Sequence, residues 1–123
     1  MVEGIGIDVV EIPRMQKALD RWGDVFLRKI FTPAEIEYSQ SKKYQTQHIA
    51  ARFAVKEAVA KALAKGWSSG FRWKDVEVNN NADGKPIVIL HDHVKTMLAG
   101  RTVHVSISHS ENVVIAFAII ERP

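Results

Sequence analysis

The apolar positions of this chain follow two periods, which predicts a mixture of strands and helices. Residues 2–10 alternate as in a strand, with Ile5, Ile7 and Val9 on one face. The opposite face carries Gly4, Gly6 and Asp8. We expect a buried strand whose apolar run ends at Asp8, with glycines that let another group approach the backbone closely.

Residues 14–30 have a helical period, which predicts an amphipathic helix that follows Pro13. The apolar stripe expected to face the core consists of Met15, Leu19, Trp22 and Phe26. The basic residues of a separate arc, about 60° wide at this spacing, are Arg14, Lys17, Arg21 and Arg28. Because Gly23 can interrupt the helix, the basic face is better defined over residues 14–21 than at Arg28.

Two further helices are predicted in the middle of the chain. The segment Thr32-Pro33-Ala34-Glu35 has the sequence of a capping box, so a short helix is expected over residues 33–39. The longest helix is expected over residues 49–65, with Gly66 as its stop signal. Residues 39–47 fit a helix extension or a loop, and residues 67–74 fit a loop.

The C-terminal half predicts two hairpins separated by a short helix. Residues 76–78 and 87–90 flank Asp83-Gly84, a strong hairpin signal. A helix over residues 93–99 should end at Gly100, and the strands at 102–108 and 113–120 should pair. Because no strand–helix–strand rhythm repeats, we predict an α+β fold. It would be one domain over residues 1–123, with an antiparallel sheet, a long central helix and a basic N-terminal helix.

Composition narrows the classes of function. The chain has 123 residues, a net charge of +3 and no cysteine, which excludes disulfides, thiolate zinc sites and cysteine nucleophiles. The charge fits either an acidic or phosphorylated partner or a solvated basic face. The longest apolar run, at residues 113–120, is too short to span a bilayer, and the N-terminus lacks the pattern of a secretory signal. We therefore expect a cytoplasmic protein.

Two carboxylates stand where a structural role is hard to justify. Asp8 ends the first strand, and Glu57 lies in a helix that is apolar on nearly every side, one turn before Lys61. Acidic side chains are rarely buried unless they are paired or bound to a cation. Two carboxylates from separate elements could hold Mg²⁺ together with a phosphate and water. Alternatively, Glu57 and Lys61 form an ordinary i, i+4 ion pair, and Asp8 caps the following turn.

Other motifs favour structural interpretations. The basic arc could be solvated surface, or could lie on a membrane or on nucleic acid. Ser and His alternate with Val and Ile over residues 104–109, where they could simply face solvent. Ser108-His109 lacks the G-x-S-x-G motif of a hydrolase. Gly4 and Gly6 do not continue into the G-x-G-x-x-G motif of a dinucleotide site.

Three segments together resemble one family. They are Gly4-Ile5-Gly6-Ile7-Asp8 followed by Arg14, then residues 52–58 with Lys61-Ala62, and finally residues 105–110. The chain is similar to holo-[acyl-carrier-protein] synthases, the short form of the phosphopantetheinyl transferases. The resemblance covers nearly the whole length. One departure is Ala64-Lys65-Gly66-Trp67, where members often have a Gly-Thr-Gly type of stretch, and it puts the local loop shape in question.

The resemblance implies an enzyme of fatty acid biosynthesis. It would transfer phosphopantetheine from coenzyme A to a serine of acyl carrier protein, releasing adenosine 3′,5′-bisphosphate. Asp8 and Glu57 would hold Mg²⁺, and Lys61 would contact a bridging phosphate. The proton acceptor would be either Glu57 or a water on the metal. The carrier serine would itself be the nucleophile, and no side chain of the Ser/His hairpin would act as a covalent nucleophile.

The resemblance also implies how substrates and subunits are arranged. Arg52 and His109 would bind the adenosine 3′-phosphate, and Ser108 would also contact coenzyme A. The turn Gly84-Lys85-Pro86 would reach the nucleotide from a neighbouring subunit, since such enzymes are trimers with active sites at their interfaces. The acidic carrier protein would dock on Arg14, Lys17 and Arg21. No nucleic acid or membrane partner is expected.

Two other functions remain as alternatives. A basic binding module for RNA or an acidic protein would use the Arg14 face, but it should expose aromatic residues among the basic ones. Trp22 and Phe26 are instead expected in the core. A metal-dependent phosphohydrolase would need more ligands than two carboxylates, and the sequence shows no further acidic cluster.

Overall fold

The computed structural model describes residues 1–63 and 70–123. Over these residues, strands and helices follow one another as β1 (Val2–Glu11), α1 (Ile12–Ile30), α2 (Pro33–Gln40), α3 (Gln45–Ala62), a 3₁₀ turn (Trp73–Asp75), β2 (Val76–Asn80), β3 (Pro86–Leu90), α4 (Asp92–Met97), β4 (Thr102–His109) and β5 (Val113–Glu121). The strands form two antiparallel sheets, one of order β1-β5-β4 and one of β2-β3. The α+β prediction is confirmed. No helix in the described ranges is long and apolar enough to cross a membrane.

The central helix α3 packs on one face of the larger sheet. The middle strand β5 contributes Val114, Ala116 and Ala118 to the core, all fully buried. A Cβ atom built on Gly4 would lie 2.0 Å from the carbonyl oxygen of Ala62, and one on Gly6 would lie 1.8 Å from that of Ala58. Only glycine therefore allows this approach, and the group that comes close to β1 is helix α3 itself.

The other face of β1 is not covered by the chain. Ile5, Ile7 and Val9 remain 59%, 54% and 57% exposed, and Ile115 on β5 is 39% exposed. The predicted burial of β1 is therefore wrong for the face that carries Ile5, Ile7 and Val9, because no described part of a single chain covers it. The alternation itself is correct, but α3 covers only the glycine side. An apolar sheet face is left open to solvent.

Helix α1 confirms part of the predicted apolar stripe. Met15 is buried, and Leu19 and Phe26 pack against the core. Trp22 is 54% exposed, so its assignment to the core was wrong. Gly23, with a φ of +52°, breaks the helix directly after Trp22.

The start of α2 follows its local sequence signal, whereas the end of α3 does not lie where the sequence predicted it. The capping box at Thr32 and Glu35 is formed, with both reciprocal hydrogen bonds. Helix α3 begins at Gln45 and ends at Ala62, because Leu63 has extended backbone angles. The expected continuation of the helix is therefore wrong at Leu63, and residues 64 and 65 lie outside the described residues. The predicted stop at residue 66, the departure at 64–67 and the start of the loop at 67–74 lie outside the described residues.

Both predicted hairpins are present. Gly84 has a φ of +82° in the turn between β2 and β3, and Gly100 has a φ of +79° after α4. Strands β4 and β5 are paired along their length: Thr102 lies opposite Glu121 at one end, and His109 lies opposite Val114 at the other. His104, Ser106 and Ser108 are exposed on β4. Their alternation therefore places them toward solvent, as the simpler interpretation expected.

Candidate active site

Asp8 and Lys61 meet where β1 packs on α3. The Lys61 Nζ donates to Asp8 Oδ1 at 2.9 Å and to the Ile7 carbonyl oxygen at 3.0 Å. The Asp8 side chain is only 15% exposed, whereas that of Lys61 is 52% exposed. Within the described ranges, Lys61 has no ion pair with Glu57, so the i, i+4 pair considered from the sequence is not formed. The lysine instead partly neutralises Asp8.

Glu57 is a half-buried carboxylate beside this pair. Burial raises its pKa above the ordinary value, the negative charge of Asp8 raises it further, and Lys61 opposes the shift. No hydrogen bond or ion pair reaches the Glu57 carboxylate from residues 1–63 or 70–123. A cation between the two carboxylates would relieve both the desolvation and the repulsion.

A cleft of about 420 Å³ gives access to the two carboxylates. Helix α1 forms its other wall, and the lining includes Asp8, Arg14, Phe26, Phe53 and Glu57. Arg14, predicted as a docking residue, therefore lies at the mouth of the candidate site. Its side chain is 81% exposed and 4.0 Å from Glu11. A partner bound to α1 would be held beside Asp8 and Glu57.

The donor set fits Mg²⁺. Among the residues that the structure describes, no group of three or more His, Asp or Glu side chains could hold a metal. Asp8 and Glu57 supply two hard oxygen ligands and leave coordination positions for water and a phosphate, which is how Mg²⁺ is commonly bound. A structural zinc site would need four protein ligands.

The remaining predicted docking residues continue along α1. Lys17 and Arg21 are exposed, and the Arg21 guanidinium lies 4.8 Å from the ring centre of Trp22. Val25, one turn later, is 74% exposed. The surface that we call the α1 face therefore combines positive charge with apolar side chains: Arg14, Lys17, Arg21, Trp22 and Val25.

Arg52 and His109 belong to a second, basic group. The Arg52 guanidinium packs over the Tyr38 ring at 4.3 Å, and the residue is only 2% exposed. His109 is exposed at the end of β4. The pKa of His48 is lowered first by burial and then by the positive charges of Arg52, Lys42 and His109. These side chains therefore surround one imidazole, and the sequence analysis missed both His48 and Lys42.

The other predicted coenzyme A residues lie apart from the cleft within one chain. Gly84 and Lys85 are exposed in the β2–β3 turn, Pro86 begins β3, and Ser108 faces outward opposite Ile115. None of them lines the cleft of Asp8 and Glu57. Asn80 connects Arg52 to this turn, a link that no sequence motif indicates.

Helix α3 also carries one partner of a buried ion pair that the sequence analysis missed. Lys56 and Glu35 are both 0% exposed, with Nζ 2.8 Å from Oε1. The Lys56 Nζ also donates to the carbonyl oxygens of Trp73 and Val76. The Glu35 carboxylate further accepts from the backbone of Thr32 and Val78. The signal was present, since Lys56 lies in the same apolar helix as Glu57.

The chain is similar to proteins of one family along nearly its whole length. The profile of the 4′-phosphopantetheinyl transferase superfamily matches residues 4–118. The holo-[acyl-carrier-protein] synthase of Koribacter versatilis is 44% identical over 98% of this chain and 99% of its own length. The crystal structure of the corresponding enzyme of Neisseria meningitidis superposes with a TM-score of 0.91 at 30% identity, covering 99% of this chain and 100% of that one.

A second structure includes a ligand. The holo-(acyl-carrier-protein) synthase of Bacillus anthracis in complex with CoA (3′,5′-ADP) has a TM-score of 0.85 and 36% identity, covering 100% of this chain and 99% of that one. The chain therefore belongs to the 4′-phosphopantetheinyl transferase superfamily, and is an enzyme of its holo-[acyl-carrier-protein] synthase class.

Proposed function

We propose that this enzyme transfers 4′-phosphopantetheine from coenzyme A to a serine of apo-acyl carrier protein, with Mg²⁺, and releases adenosine 3′,5′-bisphosphate. The observation that carries the proposal is the cleft lined by Asp8 and Glu57 beside the basic α1 face, with Lys61 ion-paired to Asp8. The class to which the chain belongs supports the same reaction. A cytoplasmic location and a role in fatty acid biosynthesis are part of the proposal.

The proposed reaction is a displacement at the phosphorus nearest the pantetheine. The serine oxygen forms a new P–O bond while the pyrophosphate P–O bond breaks, and the bond electrons leave with the adenosine bisphosphate. Mg²⁺ held by Asp8 and Glu57 would neutralise phosphate oxygens. Lys61, next to Asp8, would place a positive charge on the bridging phosphate.

The serine proton needs an acceptor close to the attacking oxygen. Glu57 is suited to this role, because its raised pKa increases its basicity and its carboxylate has no protein partner in the described residues. A water molecule in the site is the other route. Because the carrier serine itself attacks the phosphorus, the transfer needs no covalent enzyme intermediate.

Coenzyme A would also be held through its nucleotide. His109 is the exposed candidate for the 3′-phosphate, and Arg52 adds charge from its buried position next to His48. Ser108 lies beside His109 on β4. Gly84, Lys85 and Pro86 would contact the nucleotide from a neighbouring subunit, since they lie away from the cleft of their own chain.

We propose a homotrimer, because the exposed apolar face of β1 and β5 fits burial against further copies of this chain. Sedimentation of the wild type should give about three times the mass of one chain. Ile5→Lys should give single chains and little transfer activity, because charge in the interface would separate the parts of each site. Ile89→Lys, on β3 outside this face, is the control. A wild type that sediments as one chain at micromolar concentration would refute the trimer.

Acyl carrier protein would dock on the α1 face through its acidic surface. Arg21→Glu should raise the carrier's KM about fivefold or more at low salt, and Arg14→Glu should do the same, while coenzyme A affinity is unchanged. The difference in the carrier's KM between variant and wild type should shrink at higher salt, because salt screens the attraction between the wild-type α1 face and the carrier. Lys95→Glu, on exposed α4, is the matched charge reversal. If both reversals leave the carrier's KM unchanged at low salt, docking lies elsewhere.

The exposure of Trp22 removes one argument used against a basic binding module, since an aromatic residue does lie among the basic ones. Membership of the transferase superfamily favours the enzyme, and Trp22 is better explained as an apolar part of the docking surface. Chromatographic detection of adenosine 3′,5′-bisphosphate tests the reaction. The product should form from coenzyme A only with apo-carrier, and holo-carrier should give none.

A further inference from the structure

Asn80 joins the buried Arg52 to the turn between β2 and β3. The Arg52 Nη2 donates to Asn80 Oδ1 at 2.7 Å. The Asn80 Nδ2 in turn donates to the Gly84 carbonyl oxygen at 3.0 Å. One side chain at the end of β2 therefore contacts both a helix residue and the tip of its own hairpin.

Arg52 is held firmly at its end of this connection. It is 2% exposed, and the ring of Tyr38 on α2 covers its guanidinium. Burial lowers the pKa of Arg52, so the charged group needs acceptors where it lies. In the described part of the chain, Asn80 Oδ1 accepts a hydrogen bond from Arg52 Nη2, and the Tyr38 side chain also favours the charged guanidinium. Asn80 is thus attached to a fixed point on α3.

The turn has strong internal hydrogen bonds but few external ones. Asn81 Oδ1 accepts from the backbone of Asp83 at 3.0 Å and of Lys85 at 2.9 Å. The Gly84 amide donates back to the Asn81 carbonyl oxygen at 2.9 Å. These bonds fix the shape of the turn. Among residues 1–63 and 70–123, the side-chain bond that ties this turn to α3 runs through Asn80.

We propose that Asn80 is a positioning residue for the nucleotide of coenzyme A, an inference that rests on the proposed function. It orients the turn that carries Gly84 and Lys85 and joins it to the charge of Arg52. The turn and Arg52 of the same chain therefore act on the nucleotide as one unit. Asn80 acts through these neighbours and contributes to affinity without a role in the chemical step.

Substitutions at Asn80 separate the two bonds. Asn80→Asp keeps an acceptor for Arg52 but loses the donor to Gly84, and Asn80→Ala loses both. We expect Kd for coenzyme A to rise about fivefold in Asn80→Asp and more in Asn80→Ala, since one net hydrogen bond is worth a factor of this order. Amide exchange at Gly84 and Lys85 should be faster in both. Asn79→Asp, the neighbouring strand position, is the control.

The kinetic readout distinguishes positioning from general damage. The KM for coenzyme A should rise in both variants, while kcat and the carrier's KM stay near wild type. The thermal midpoint should stay near wild type in Asn80→Asp, which keeps the acceptor for Arg52, and fall in Asn80→Ala, which leaves the buried guanidinium without it. An Asn80→Ala enzyme with wild-type coenzyme A affinity, or with reduced kcat alone, overturns the inference. A wild type that does not bind coenzyme A overturns the proposed function and the inference together. A wild type that binds dephospho-coenzyme A equally well removes only the 3′-phosphate assignment.

Discussion

Replacing Glu57 by glutamine is expected to reduce transfer at least about a hundredfold while stabilising the metal-free protein. Activity falls because a metal ligand and candidate base is lost from a site that acts by charge stabilisation. Stability rises because the ionised Glu57 is half-buried beside Asp8, which raises its pKa. Steady-state transfer and thermal unfolding in EDTA, measured on the same preparations, test both effects.

The stability difference should depend on pH with a definite sign. The folded protein binds the Glu57 proton more tightly than the unfolded chain does, so wild-type stability falls as pH rises from the unfolded pKa through the raised folded pKa. Glu57→Gln should therefore unfold at a higher temperature than wild type at neutral pH and match it in acid. Mg²⁺ should raise the midpoint of the wild type only. Glu37→Gln on α2 is the control, and wild-type rates in EDTA would contradict the metal assignment.

Replacing Lys56 by methionine is expected to cost about 3–5 kcal/mol of unfolding free energy, which could approach the whole stability of a small domain. The loss arises because Glu35 would remain as a buried charge without its cationic partner. The Lys56 bonds to the Trp73 and Val76 carbonyl oxygens would also be lost. Urea denaturation measures the change.

A second variant keeps this prediction testable if the first fails to fold. Lys56→Met with Glu35→Gln removes both charges while the amide can still accept hydrogen bonds, so it should recover a large part of the loss. Lys61→Met on the same helix should cost clearly less stability than Lys56→Met, because Lys61 is 52% exposed and water can partly replace it beside Asp8. A similar loss of unfolding free energy in Lys56→Met and Lys61→Met would show that the buried pair contributes no more to stability than the exposed lysine does.

Local sequence signals correctly predicted the parts of the fold that depend on contacts between residues close together in the chain. The capping box at Thr32 and the turn at Gly84 depend on contacts within a few residues, and both were predicted correctly. Asp8 and Glu57 were singled out as candidate site residues because carboxylates in apolar segments are costly wherever the segments pack. The rule that identified them is physical and does not need the fold.

The missed features depend on contacts between distant parts of the chain. Lys56 and Glu35 are 21 residues apart, and Arg52 and Asn80 are 28 apart, so no local pattern pairs them. Alternation in β1 showed two faces but not that α3 would cover the glycine side. The helical period places Trp22 on the apolar stripe, and it does not encode the break at Gly23 or the exposure of this side chain.

The most direct test of the account is mass spectrometry of apo-acyl carrier protein after incubation with coenzyme A, Mg²⁺ and this enzyme. The account predicts a mass increase of one phosphopantetheine group on the carrier's serine, lost in EDTA and in Asp8→Ala. An unchanged carrier mass with folded wild-type enzyme, or equal conversion by Asp8→Ala, would contradict it.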